Sequence, residues 1–387
     1  MRYAIVSNKL VLPSGIDGFG YLLIEDGKFG QVSVNKPEGV PIVDRMGCWV
    51  APGFVDTHIH GFANHDVMDC DPQGLNVVCE RLAAEGTTSW LATTLTASAE
   101  KTGAACASVR EAYEAQKADP DFVGARTQGI FLEGPFFTEE HKGAQDPRYL
   151  IDPSLDLLDS WQEQAGGLIR KTALAPERDG ALDYIAGAVA RGVRAAVGHS
   201  SATYGEAAAA VLAGAKVIVH TFNGMADMYH RDPGIVGCAM TSQGVYAELI
   251  ADGKHVDPVV CETLVRSKGW EHVALITDCL SCGGLPDGEY FIGELPIELR
   301  DGAAYLKDGG NFAGSTLTLA RAVRNVVDWG IVTAEQAIRM ASEVPARSCG
   351  ISDRCGSILP GRDADLVVLD SDMNLLETYV SGREVTR

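Results

Sequence analysis

No apolar run in this sequence reaches the roughly 20 residues that a membrane-spanning helix needs. The opening Met-Arg-Tyr-Ala-Ile-Val-Ser-Asn-Lys-Leu likewise has no apolar signal core followed by a cleavage site. Basic residues are scarce: 32 Lys and Arg stand against 52 Asp and Glu, a formal charge of −20. So acidic a surface argues against nucleic acid and anionic membrane as partners, since both demand a basic face. A small anion stays open, because a local pocket of donors suffices for it. The sequence has no low-complexity segment and no convincing repeat beyond the alternation of strands and helices described below. Its ten cysteines are scattered through apolar or helical contexts without a disulfide framework, which predicts buried thiols in a reducing, cytoplasmic compartment. The close pair Cys279-Leu-Ser-Cys282 lacks the second such pair of a structural zinc site and reads as packing.

With 387 residues, 46% of them hydrophobic and 22% charged, the chain can bury one large domain and a smaller one. Residues 1–50 read as short strands punctuated by turns, as in Tyr3-Ala-Ile-Val and Gln31-Val-Ser-Val, and residues 351–387 read likewise. Chain termini commonly lie close together, so these two ends are predicted to pair into one small β-sandwich domain. Residues 51–350 alternate apolar β-runs with helical stretches, the pattern of a parallel sheet built from βα units. Candidate strands at 50–57, 88–94, 127–133, 171–176, 194–199, 216–222, 246–251 and 273–278 make up the number that a closed (β/α)8 TIM-like barrel requires. Helical stretches at 74–84, 181–190 and 203–212 each end near a glycine. Residues 285–313, with Pro-Asp-Gly, Arg-Asp-Gly and Lys-Asp-Gly turns, read as a hairpin inserted after the last strand.

Ionisable residues recur where these strands run out. His58 and His60, two apart on an extended strand, point to the same side and can converge on one cation. Taken alone, that spacing also arises by chance in cores and on surfaces. Further runs end in Glu133, His199, His220 and Asp278, and the C-terminal rim of such a barrel is where side chains from different strands meet. For each residue singly, a satisfied polar group at a strand end is the simpler reading. Four histidines and two carboxylates converging on one mouth would be costly without a metal to bind them.

The motifs Pro52-Gly-Phe-Val-Asp-Thr-His-Ile-His60, Leu132-Glu-Gly-Pro-Phe-Phe137, Gly198-His-Ser200, His220-Thr-Phe-Asn-Gly-Met225, Ile250-Ala-Asp-Gly-Lys-His255, Thr277-Asp278, Ala313-Gly-Ser-Thr-Leu317 and Gly361-Arg-Asp-Ala-Asp-Leu366 extend over essentially the whole chain. Together they resemble the amidohydrolase superfamily and, within it, the branch that deacetylates N-acetylamino-sugar 6-phosphates. In much of the superfamily a carboxylated lysine bridges two metals, whereas this branch uses a strand 3 glutamate, which Glu133 matches. The resemblance implies Glu133, His199 and His220 as ligands of the main metal, and His58 and His60 as ligands of a second cation that Glu133 bridges. One or two divalent ions per subunit are therefore expected, Zn²⁺ first, with Fe²⁺, Mn²⁺ or Co²⁺ also compatible with such ligands.

The implied reaction is metal-dependent hydrolysis of the acetamide of N-acetyl-D-glucosamine 6-phosphate to D-glucosamine 6-phosphate and acetate, with Asp278 as general base and then acid. Asn223, the N–H of Gly224, Arg231 and His255 resemble the sugar-phosphate contacts. Gln145 stands where some relatives carry a histidine and is expected to donate to substrate, while His141 in the same loop is left to solvent. A homodimer is implied too, and the 225–234 loop is long enough to reach a neighbour. Rival readings are the N-acetylgalactosamine 6-phosphate deacetylase, another amidohydrolase acting on a different amide, and a non-catalytic barrel scaffold.

Overall fold

Eight parallel strands form a barrel wall: β1 (Phe54–Ile59), β2 (Thr87–Thr93), β3 (Arg126–Phe136), β4 (Ile169–Leu174), β5 (Arg194–Val197), β6 (Val217–Ile218), β7 (Tyr246–Ile250) and β8 (Val273–Ile276). Each is hydrogen-bonded to the next in chain order. The computed structural model in which they are seen describes residues 1–308 and 310–386, apart from the side chains of Ile16 and Asp17. The strands are almost wholly buried, as strands covered on both faces must be. Several covering helices begin on side-chain caps that the sequence supplies. Asp71 caps Pro72–Ala84, with proline at the first helical position, and Thr203 and Glu206 form a capping box at Tyr204–Ala213.

β8 meets β1 at the C-terminal rim, where the Asp278 N–H donates to His58 O at 2.8 Å and the His60 N–H to Cys279 O at 2.9 Å. That seam sets Asp278 directly beside the histidine pair.

The apolar run read as one strand over 50–57 is divided at Gly53. Trp49–Pro52 pairs antiparallel with Leu366–Leu369, while Phe54–Ile59 pairs with β2. The Gly53 N–H donates to Asp365 O at 3.0 Å, and a Cβ there would lie 2.1 Å from Thr88 Oγ1, so the chain can change sheets at this point because no side chain stands in the way. Trp49–Pro52 belongs to a six-stranded sheet that also takes strands from residues 10–17 and 366–384. A four-stranded sheet from residues 2–44 faces it. Between them Ile5, Leu22, Phe29, Val50, Leu366 and Val368 form one buried cluster, so segments from the two ends of the chain make a sandwich.

The segment expected as a hairpin over 285–313 is a four-stranded antiparallel meander, Gly288–Ile292, Leu295–Arg300, Ala303–Leu306 and Phe312–Ser315. Its turn at Lys307-Asp308-Gly309 lies partly outside the described residues.

Candidate functional site

The rim residues do not simply end their strands. Regular pairing stops at Val197, Ile218 and Ile276, and His199 (φ 47°), His220 (φ 24°), Phe222 (φ 81°) and Asp278 (φ 51°) follow in left-handed backbone. Such conformations cost non-glycine residues about 1–3 kcal/mol each and cluster at functional sites. Here the turned backbone swings side chains across the mouth that a continuing strand would have sent alternately to either face.

Glu133 is the hub. Its Oε1 lies 3.0 Å from His58 Nε2, 3.0 Å from His220 Nε2 and 3.4 Å from His199 Nε2, while Oε2 lies 3.3 Å from His60 Nε2. Asp278 Oδ1 approaches His60 Nε2 at 3.1 Å and His58 Nε2 at 3.5 Å. Two groups, His58 with His60 and Asp278, and His58 with Glu133 and His220, present donor atoms within 4.8 Å of one another.

The other ring nitrogens settle the tautomers. His60 Nδ1 faces Thr93 O at 3.3 Å, His199 Nδ1 faces His141 O at 2.8 Å and His220 Nδ1 faces Asn223 O at 3.0 Å. A carbonyl can only accept, so these Nδ1 atoms carry protons. In neutral rings the Nε2 atoms are then lone pairs turned inward. His199 Nε2 and His220 Nε2 stand 3.0 Å apart with no proton to share, and His58 Nε2 is buried without a hydrogen-bond partner, near Glu133 but off the line such a bond needs. A divalent cation fits this donor set, since it draws together the nitrogens and carboxylate oxygens that otherwise repel.

The electrostatics follow from burial and pairing. Burial drives the Glu133 carboxyl up, yet the charge of His58 and the close imidazoles of His199 and His220 outweigh it and hold the group well below the usual carboxylate range. Asp278 is likewise held low, with His58 and His60 overcoming burial. Burial pulls His58 down, but Glu133, Glu248 and Asp278 raise it to about 9, and His60 is carried well above its ordinary value against the same burial by Asp278 and Glu133. Burial depresses His220, which leaves it neutral at pH 7. Asp56, buried below the rim and bonded to Thr277 Oγ1 at 2.6 Å, is pushed up by burial to about 7.

A cavity of about 360 Å³ opens over these groups, walled by His255, Asn223 and Gly224 on one side and by Ile292 and Phe312 of the meander on another. A larger neighbouring cavity of about 670 Å³ shares Leu95, Ala144, Gln145 and Ile292 with it but does not reach the histidines. Gly224 (φ 59°) is required where it stands, because a Cβ would come within 2.8 Å of His199 Nδ1. His255 Nδ1 contacts Asp252 at 2.6 Å, the ring rests on Phe312 at 4.5 Å, and its Nε2 is buried without a partner.

Not every expected contact is free to meet a substrate. Gln145 is buried with both ends of its amide engaged, donating to Glu133 Oε2 at 2.8 Å and accepting from the Thr96 N–H at 2.8 Å. It orients Glu133 from the cavity wall. The Asn223 amide donates to the carbonyls of His220 and Thr221, at 3.2 and 3.4 Å, within its own turn. Arg231 is exposed on the 225–234 loop and is not among the residues lining the cavity. His141, left to solvent above, contributes its carbonyl to His199 and lines the cavity. Glu248 and Lys171 were missed altogether. The available signal was two opposite charges inside apolar barrel strands, Tyr246-Ala-Glu-Leu-Ile and Ile169-Arg-Lys-Thr-Ala-Leu.

The sequence pattern of the amidohydrolase family matches residues 49–385. The N-acetylglucosamine-6-phosphate deacetylase of Vibrio furnissii is 42% identical over 335 residues, covering 86% of this chain and 82% of that relative. The N-acetylgalactosamine-6-phosphate deacetylase of Escherichia coli O157:H7 is 37% identical over 383 residues, covering 99% of each. Among solved structures, a mutant N-acetyl-D-glucosamine-6-phosphate deacetylase from Mycobacterium smegmatis, in complex with N-acetyl-D-glucosamine-6-phosphate, superimposes with a TM-score of 0.93 at 30% identity over 100% of both chains. By its sequence, its fold and the donors gathered at its barrel rim, this chain belongs to the amidohydrolase family.

Proposed function

We propose that the chain hydrolyses the acetamide of N-acetyl-D-glucosamine 6-phosphate, releasing D-glucosamine 6-phosphate and acetate. The observation that carries this is the convergence of four imidazole Nε2 atoms and two carboxylates on the floor of a cavity whose wall holds a buried, unpartnered His255 Nε2. The named activity of the Vibrio furnissii relative supports it, and that of the Escherichia coli relative keeps N-acetylgalactosamine 6-phosphate as a second substrate to test. Acetate release from the two sugar phosphates and from N-acetylglucosamine decides among them. Equal rates on the phosphorylated and unphosphorylated glucosamine compounds would contradict a phosphate-directed enzyme.

Glu133, His199 and His220 would hold the main cation, and His58 and His60 a second, with Glu133 Oε1 facing His58, His199 and His220 and its Oε2 facing His60. A bound divalent ion lowers the pKa of water to about 7 and polarises an amide carbonyl. Zinc is our first choice for these donors. Asp278, ionised at neutral pH, takes the proton of the attacking water and returns it to the departing amine, which otherwise leaves poorly. Gln145 and the carbonyls of Thr93, His141 and Asn223 keep the donors oriented throughout. The ten cysteines, all free and mostly buried, support a cytoplasmic setting, and none of the described helices is long and apolar enough to cross a membrane.

Proton release accompanies metal uptake in this scheme. His58, at about 9, and His60, above its ordinary value, hold protons at neutral pH when no cation is bound. A cation binding their Nε2 atoms must displace those protons, so apparent affinity rises as pH climbs towards 9 and falls as pH drops. Calorimetric titration at pH 7 in buffers of different ionisation enthalpy should give heats that depend on the buffer, and buffer-independent heats would contradict the scheme.

Phosphate recognition has to come from short contacts, because the charge of −20 repels a dianion at range. With Asp252 engaging Nδ1, the unpartnered Nε2 of His255 is the atom left to meet a phosphate oxygen. His255→Ala should lower kcat/KM for the 6-phosphate about ten- to a hundredfold and barely change the unphosphorylated sugar. Arg231 lies beside the exposed Met228 and Tyr229, and we assign this loop to a homodimer contact in which Arg231 serves a neighbouring subunit's cavity. Arg231→Ala should then act as His255→Ala does. A stable monomer in sedimentation at micromolar concentration would contradict that arrangement.

A further inference from the structure

Beneath the rim, fully buried side chains that the reaction does not itself use form a chain ending on His58. Glu248 of β7 places Oε2 at 2.9 Å from His58 Nδ1 and Oε1 at 2.5 Å from Lys171 Nζ of β4. Lys171 also donates to Thr57 O at 2.8 Å, and Lys171, Glu248 and His58 are all 0% exposed. The Lys171 ammonium stands 3.6 Å from the centroid of Phe131, whose ring in turn meets the His58 ring edge-to-face at 4.8 Å. Barrel strands β1, β3, β4 and β7 thus meet around one imidazole.

Stability alone gives little reason for such a pair. A buried ion pair must overcome the desolvation of both charges, and apolar side chains of similar volume often serve as well or better. Its placement is informative. His60, His199 and His220 rest their Nδ1 atoms on backbone carbonyls, whereas His58 rests on a carboxylate that is itself anchored by a cation. A carboxylate accepting from Nδ1–H fixes the tautomer, aims the Nε2 lone pair at the rim and makes it a stronger donor. The Lys171 ammonium holds Glu248 in place and, through Thr57 O, ties down the β1 backbone just before His58.

We propose that Glu248, held by Lys171, is a positioning residue that sets the tautomer of His58 and strengthens its hold on a cation at the His58 and His60 side of the site. This rests on the metal-site assignment above and goes beyond it. The test is a zinc titration of the metal-stripped full chain, in competition with a chromophoric chelator, on wild type, His58→Ala, Glu248→Gln and the double variant Glu248→Leu/Lys171→Met, which leaves no unpaired buried charge. Wild type should show a binding phase that His58→Ala abolishes. Glu248→Gln and the double variant should weaken that phase about ten- to a hundredfold and leave the remaining phase unchanged. Variants that titrate like wild type overturn the proposal. A wild-type chain that binds no zinc overturns the metal-site assignment and this proposal with it. A second measurement needs no variant of Glu248: in zinc-loaded wild type labelled with ¹⁵N-histidine, with the His58 signals identified by their loss in His58→Ala, Nδ1 should carry the proton. An unprotonated Nδ1 overturns the proposal.

Discussion

Asp278→Asn is expected to cut the rate of acetate release by about 10²–10⁴-fold while the protein stays folded and keeps most of its metal. The substitution preserves shape. The seam hydrogen bond from the residue 278 N–H to His58 O is a backbone contact and survives, and asparagine keeps an Oδ1 where Asp278 Oδ1 now stands, 3.1 Å from His60 Nε2. What disappears is the basic carboxylate, which His58 and His60 hold ionised in spite of burial. Without it, no side chain in this position removes the proton from water or delivers one to the amine. Steady-state assay beside elemental analysis checks both halves of the claim. Near-normal turnover by a fully metallated variant would take Asp278 out of proton transfer.

His199→Ala and His220→Ala should each lose most of the bound metal after dialysis, and with it activity, by at least about 10²–10³-fold. Replacement ligands are not at hand, because the remaining histidines are pinned through Nδ1 to Thr93, Asn223, His141 or Glu248 and cannot swing to fill the gap. The loss should exceed what packing alone would cause, since both rings sit at the cavity floor and not within the apolar core. Elemental analysis of the dialysed variants, with thermal unfolding as a control for the fold, gives the answer. Variants with wild-type metal content and rate would place the cation elsewhere.

The barrel was legible because its strands are short apolar runs punctuated by glycine and by capped helices, and the order of β1 to β8 follows from their succession in the chain. His58 and His60 were legible through the period of two that an extended strand imposes. What could not be read was where extended backbone stops. Nothing in Val217-Ile-Val-His220 or Leu275-Ile-Thr-Asp278 announces that the last residue turns left-handed, because the compensation for that strain lies in contacts with other strands, such as the Glu133 carboxylate and the His58 carbonyl. The division at Gly53 was hidden for a similar reason: the run is continuously apolar, and a pairing with Leu366–Leu369, more than three hundred residues away in sequence, is what splits it.

 The bonds of Gln145 could not be read because residue type alone does not say which way an amide points, and here Thr96 and Glu133 engage both of its ends. Lys171 and Glu248 look out of place in apolar strands until the closed barrel brings β4 and β7 together beneath His58, where the two charges pair.

Whether deacetylation depends on a divalent cation held by the rim donors is measured most directly by acetate release from N-acetyl-D-glucosamine 6-phosphate as zinc is added back to metal-stripped protein. Activity should be near zero in the stripped chain and rise to a plateau at one or two equivalents per subunit. A stripped protein that releases acetate at the full rate would contradict the account.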